Sequence, residues 1–128
     1  RLGAERLKGG YAFQQLLKQN GWLPLGTDFP VEEINPFKTF LAAVARQDAK
    51  GFPAGGFQME NALTREQTIR GMTIWAAKAN RMEKQVGSIE GGKKADFILL
   101  DKDLMKVPTD SILNIKVLKT YSNGERVH

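Results

Sequence analysis

Apolar residues along the chain first recur with the period of a helix, then collect into short unbroken runs, and the switch divides the sequence into parts. Over residues 10–19, GYAFQQLLKQ, Ala12, Leu16 and Gln19 share one side with Phe13 and Leu17 beside them, a short amphipathic helix that Asn20-Gly21 ends. Trp22-Leu23-Pro24-Leu25-Gly26 is apolar on both faces. That suits a strand covered on both sides, as in a parallel sheet, although Pro24 lacks a ladder donor. Asn35-Pro36 offers a cap and a first-turn proline, and Phe37, Phe40, Leu41, Val44 and Ala45 follow at i, i+3, i+4, i+7 and i+8. The spacing predicts a helix over 36–48, with Gly51 as its stop. Residues 51–61, GFPAGGFQMEN, are rich in Gly and Pro and read as a loop, either a lid over a substrate or a plain connection. Thr64-Arg65-Glu66-Gln67 forms a capping box that opens a helix to about Ala79, with Ile69, Met72, Trp75, Ala76 and Ala79 as its buried face.

The last third is β-rich. A short strand is expected around Ser88-Ile89, a turn at Gly91-Gly92, and a strand buried on both faces at Phe97–Leu100. A loop containing Val107-Pro108 leads to a β-rich run from Ile115 to Tyr121, and Asn123-Gly124 fits a type I′ turn returning through Glu125 to His128. Helix, buried strand and loop in succession, ahead of this β unit, give an α/β pattern of the barrel or doubly wound kind.

Composition removes several chemistries. The 128 residues are 41% hydrophobic, enough for one ordinary core. There is no cysteine, and the single histidine is the last residue, His128. The chain alone therefore builds no thiolate site, no multi-histidine metal site and no Ser-His-Asp triad. The net charge of +5 is spread along the chain, and its densest spots, Lys93-Lys94 and Arg81 to Lys84, have no aromatic ladder for stacked bases. No nucleic-acid partner is expected. No apolar run approaches the roughly 18 residues that a membrane span needs. The chain begins at Arg1 rather than Met and shows no signal segment, so a fragment of a longer protein is expected, and its compartment stays open.

The tail V-G-S-I-E-G-G-K-K-A-D-F-I-L-L-D resembles the segment that closes metal-dependent amidohydrolases. The likeness runs backwards through the T-R-E-Q…G-M-T-I-W-A-A-K-A-N helix, GTDFPVE-INPF and the E-R-L opening. Together these are similar to the final part of the YtcJ-like branch, which includes N-substituted formamide deformylase. The resemblance implies the last βα part of a (β/α)₈ (TIM) barrel over residues 1–80, then C-terminal strands of a composite β-sandwich over 81–128. In the tail, Lys and Asp around the Gly-Gly turn would hold the structure rather than catalyse, with Asp96 bonding turn amides.

In that family Gly-Ser/Thr-Asp-x-Pro ends the eighth barrel strand. The resemblance places Asp28 at the metal-site acid that binds or faces a divalent ion, zinc foremost, and accepts a proton from the attacking water. Thr27 falls at the small hydroxyl position before it. Judged on its residues alone, an Asp among turn residues is more often a turn former or helix cap than a catalytic acid. The implied activity is hydrolysis of a non-peptide C–N bond in a small amide or formamide. The isolated chain is expected to be inactive, to bind no metal tightly, and to self-associate or else leave residues 1–30 poorly ordered. The alternative is a non-catalytic β-rich module that binds a partner or small ligand.

Overall fold

A computed structural model describes residues 3–128 of the chain. Helices come first and a small sheet last: α1 (Gly3–Leu7), α2 (Phe13–Asn20), α3 (Pro36–Ala45), α4 (Arg65–Met72) and α5 (Ile74–Ala79), then β1 (Phe97–Leu100), β2 (Val117–Ser122) and β3 (Glu125–Arg126). Short 3-10 stretches lie at Met59–Asn61, one turn, and Thr109–Asn114, two turns. The mixed helix and strand content agrees with the expected α/β class, and α1 is an element the apolar pattern did not signal.

Local signals formed as the sequence predicts. Gly21 closes α2 at φ 74°, its amide donating to Leu17 O. The Asn35 side chain accepts from the Phe37 amide at 3.0 Å, so α3 starts where Asn-Pro placed it. Thr64 and Gln67 make the full capping box: Gln67 N donates to Thr64 Oγ1 at 3.1 Å and Thr64 N to Gln67 Oε1 at 2.9 Å.

Helix lengths differ from expectation for nonlocal reasons. The helix expected over 36–48 stops at Ala45, because Arg46 turns left-handed (φ 55°) and buries its guanidinium between the Phe13 and Phe57 rings, 5.0 and 5.4 Å from their centroids. Arg46 Nε donates to Phe57 O at 2.8 Å. The second long helix breaks at Thr73, whose hydroxyl donates to Ile69 O at 2.6 Å, the kind of back-bonding that bends helices. On α4 and α5 the fully buried residues are Thr68, Gly71 and Ala77; Ile69, Met72, Trp75 and Ala76 are half-buried and Ala79 is exposed.

The main core joins α3 to the second 3-10 stretch: Phe37, Phe40, Leu41 and Ala45 meet Ile112 and Ile115. A second cluster of Leu17, Ala43 and Leu63, flanked by Phe13, Leu23, Leu25 and Trp75, ties α2 to the segment after it. That segment, residues 22–26, is not the doubly covered strand its apolar run predicts: it carries no regular secondary structure, has no strand partner among the described residues, and leaves Pro24 and Gly26 exposed. It lies along α4 instead, with Leu25 N donating to Gly71 O at 3.0 Å.

The sheet is antiparallel, in the order β1-β2-β3, with Phe97 opposite Tyr121 and Ile98 opposite Thr120. The Phe97 and Tyr121 rings stack at 4.6 Å. Asn123 and Gly124 take φ 52° and 84°, the two positive angles of a type I′ turn. Asp96 does bond a turn amide, accepting from Asn123 N at 2.7 Å, in the hairpin rather than in the Gly-Gly turn. Two expectations need correcting here. Ser88-Ile89 is not a strand, and Phe97–Leu100 is not buried on both faces: Ile98 is 45% and Leu99 42% exposed.

Candidate functional site

Asp28 stands where the segment after α2 meets a turn. Upstream, Leu23 and Leu25 anchor the segment in the second cluster. Downstream, Val31 N and Glu32 N both donate to Asp28 O, at 2.8 and 3.4 Å, and Phe29 N donates to Thr27 Oγ1 at 3.3 Å. These bonds hold Asp28 at φ 56°, a left-handed angle that Asp tolerates better than most residues. Asp28 is exposed and Thr27 half-buried. The arrangement therefore fixes the backbone of a solvent-facing acid without burying it. Thr27 acts on the loop through its hydroxyl, supporting the turn beside the acid.

A carboxylate offers one hard oxygen donor, which suits a divalent cation as one ligand among several. Among the described residues no group of three His, Cys, Asp or Glu could hold a metal ion. Asp28 therefore has no second and third ligand of these types beside it among the described residues.

Two features lay outside what the sequence signalled. The residues after Asp28 expose large apolar side chains: Phe29 at 60%, Val31 at 77% and Ile34 at 69%. Arg46 is buried, and its Nη2 has no hydrogen-bond partner among the described residues. Burial pushes its pKa down, opposed by Glu60. An open cleft of about 580 Å³ lies elsewhere, between Leu41, Asp48 and Lys50 on one side and Pro108, Asp110 and Leu113 on the other. The amides of Phe52 and Lys50 occupy the Asp48 carboxylate and hold its pKa below the usual value. Neither Thr27 nor Asp28 lines the cleft, so its size does not mark it as the place of the chemistry.

The model of the amidohydrolase family matches residues 1–128, and the chain belongs to that family. It is similar to the protein LONG AFTER FAR-RED 3 of Arabidopsis thaliana, with 34% identity over all of this chain and 22% of that protein. N-substituted formamide deformylase of Arthrobacter pascens is 33% identical over 78% of this chain and 18% of its own length. The putative amidohydrolase YtcJ of Bacillus subtilis is 27% identical over all of this chain and 24% of its own. The chain thus spans roughly a fifth to a quarter of these relatives. An amidohydrolase crystal structure from Thermotoga maritima superposes with a TM-score of 0.62 at 25% identity, covering 92% of this chain and 26% of that one. The resemblance carried by the GTDFP and Gly-Gly-Lys segments therefore holds. Among the described residues, no helix is long and apolar enough to cross a membrane.

Proposed function

We propose that the protein from which this chain comes is a metal-dependent hydrolase of non-peptide C–N bonds, acting on small amides or formamides, and that Asp28 is its metal-site acid and base. Residues 1–80 would then form the last part of a (β/α)₈ barrel and 81–128 part of a composite β-sandwich. The observation that carries the reading is an exposed Asp28 in a fixed left-handed backbone at the end of a segment anchored by Leu23 and Leu25, within a chain of the amidohydrolase family. The names of relatives support C–N chemistry: one is a formamide deformylase and another a 5-methylthioadenosine/S-adenosylhomocysteine deaminase.

Amide hydrolysis adds water to the carbonyl carbon, then breaks the C–N bond and protonates the leaving nitrogen. A carboxylate beside the attacking water can take its proton and later return it to the nitrogen, which accounts for both roles of Asp28. A bound divalent ion, zinc foremost, would polarise the carbonyl and lower the pKa of its water to about 7. The turn bonds to Thr27 Oγ1 and Asp28 O fix the backbone from which the carboxylate projects.

In the full-length protein, Asp28→Asn keeps the shape of the side chain but removes the proton acceptor. The fold should survive by circular dichroism, while kcat falls by about 10² to 10⁴. Near-normal turnover by the purified variant ends the assignment. The 128-residue chain by itself should hydrolyse no amide and bind zinc no more tightly than a stray surface carboxylate does, because one acid and a terminal His128 cannot surround a cation. Stoichiometric, tight zinc binding in calorimetry contradicts this.

A further inference from the structure

We propose that Gly71 is a positioning residue for Asp28, setting where the segment that ends in the acid lies against α4; the inference rests on Asp28 being the reacting carboxylate. Gly71 is buried inside α4, and its φ is outside the left-handed region, so its backbone angles are open to any residue. Glycine is also a poorer helix former than alanine. What the position requires is nearness. A Cβ built there would stand 2.8 Å from both Cγ and Cδ1 of Leu25 and 3.0 Å from Leu23 O. On the same spot Leu25 N donates to Gly71 O at 3.0 Å. The segment therefore touches the helix backbone through a carbonyl at residue 23, and through an amide and a side chain at residue 25.

Only Gly26 and Thr27 separate Asp28 from Leu25, so at most about 10 Å of backbone joins the two. Turn bonds fix it on the far side. With one end tied at Gly71 and the other at the turn, a methyl group at position 71 cannot be absorbed in place. Leu25 must rotate away, or the segment must lift off the helix by a few tenths of an ångström and take Asp28 with it. Catalytic geometry is sensitive on that scale. The expected signature is lost turnover with substrate binding retained, relieved when the opposing side chain is cut back.

The test uses the full-length protein with Gly71→Ala, Leu25→Ala and the pair, each also in an Asp28→Asn background. The readouts are formate and amine release from a panel of N-alkyl formamides, and amide exchange over residues 22–29. Gly71→Ala should lower kcat about tenfold with KM within about twofold, and speed exchange over this segment. Adding Leu25→Ala should recover most of both changes, and in the Asp28→Asn background Gly71→Ala should have no further effect on rate. Unchanged exchange, unchanged kcat, or an equal loss in the Asp28→Asn background overturns the proposal, the last because it marks a merely structural role. If Gly71→Ala does not fold, Leu25→Phe, which adds volume to the same contact from the other side, should give the same kinetic signature. Near-normal turnover by Asp28→Asn alone removes the catalytic reading while leaving the exchange result to judge the clamp, so the two failures can be told apart.

Discussion

Phe40 on α3 and Ile98 on β1 both sit in apolar runs, yet Phe40 is wholly buried and Ile98 is 45% exposed. The helix finds its cover within the chain: Ile112 and Ile115 close over Phe37, Phe40 and Leu41. The sheet does so only in part. Leu100 and Val117 pack against that core, while Ile98, Leu99, Leu118 and Val127 keep 42 to 63% of their surface in solvent. β1 is paired on one side only, so among the described residues it is an edge. An apolar run records that a segment is to be covered; whether the cover lies in the same chain is a separate question. In a chain spanning about a fifth to a quarter of its relatives, α3 carries its partners with it and the sheet carries fewer.

The sharpest way to break this contrast is to truncate the helical side. Phe40→Ala removes a ring with no exposed surface from the centre of the main core, where α3 meets the second 3-10 stretch. It should cost about 3–5 kcal/mol in urea unfolding, a large part of the stability of any small domain. A loss under about 1 kcal/mol would mean that this core is not the one holding the chain together.

The same contrast explains what could be read from the sequence. Caps and turns were legible because their partners lie within a few residues: Asn35 to Phe37, Thr64 to Gln67, and the positive φ angles of Asn123-Gly124. The end of α3 was not, because it depends on Arg46 settling between Phe13 and Phe57, which no local pattern encodes. Residues 22–26 read in sequence as a strand covered on both sides and are not one; their partner within the described chain is a helix backbone at Gly71. The break at Thr73 was hidden for a third reason: a hydroxyl that bonds back to Ile69 O looks in sequence like any other helical threonine.

The candidate site divides along the same line. As a residue type, Asp28 pointed no further than a turn, and the turn is there, in the bonds from Val31 and Glu32 to its carbonyl. Its proposed chemistry came from the likeness of GTDFP to a family, and family membership holds over the whole chain. The closeness that makes Gly71 matter could not be read from one sequence, since a glycine in a helix carries no sign of what stands opposite it.

The smallest effect is expected at the sheet, and it separates stability from association. Ile98 faces Thr120 across the β1–β2 pair, so a lysine there meets no like charge on its neighbour. Because the side chain is already nearly half in solvent, Ile98→Lys should change unfolding by under about 0.5 kcal/mol. An unpaired strand with apolar side chains is nevertheless a template for another copy, and lysine on an edge is a common way of blocking such pairing. We therefore expect the isolated 128-residue chain to self-associate through β1, and Ile98→Lys to shift it towards monomer in sedimentation equilibrium with its unfolding midpoint nearly unchanged. A cost near that of Phe40→Ala would show that β1 is part of the core after all. Association that persists in the variant would move the contact to another exposed surface, with Phe29, Val31 and Ile34 beside Asp28 the next apolar group to test.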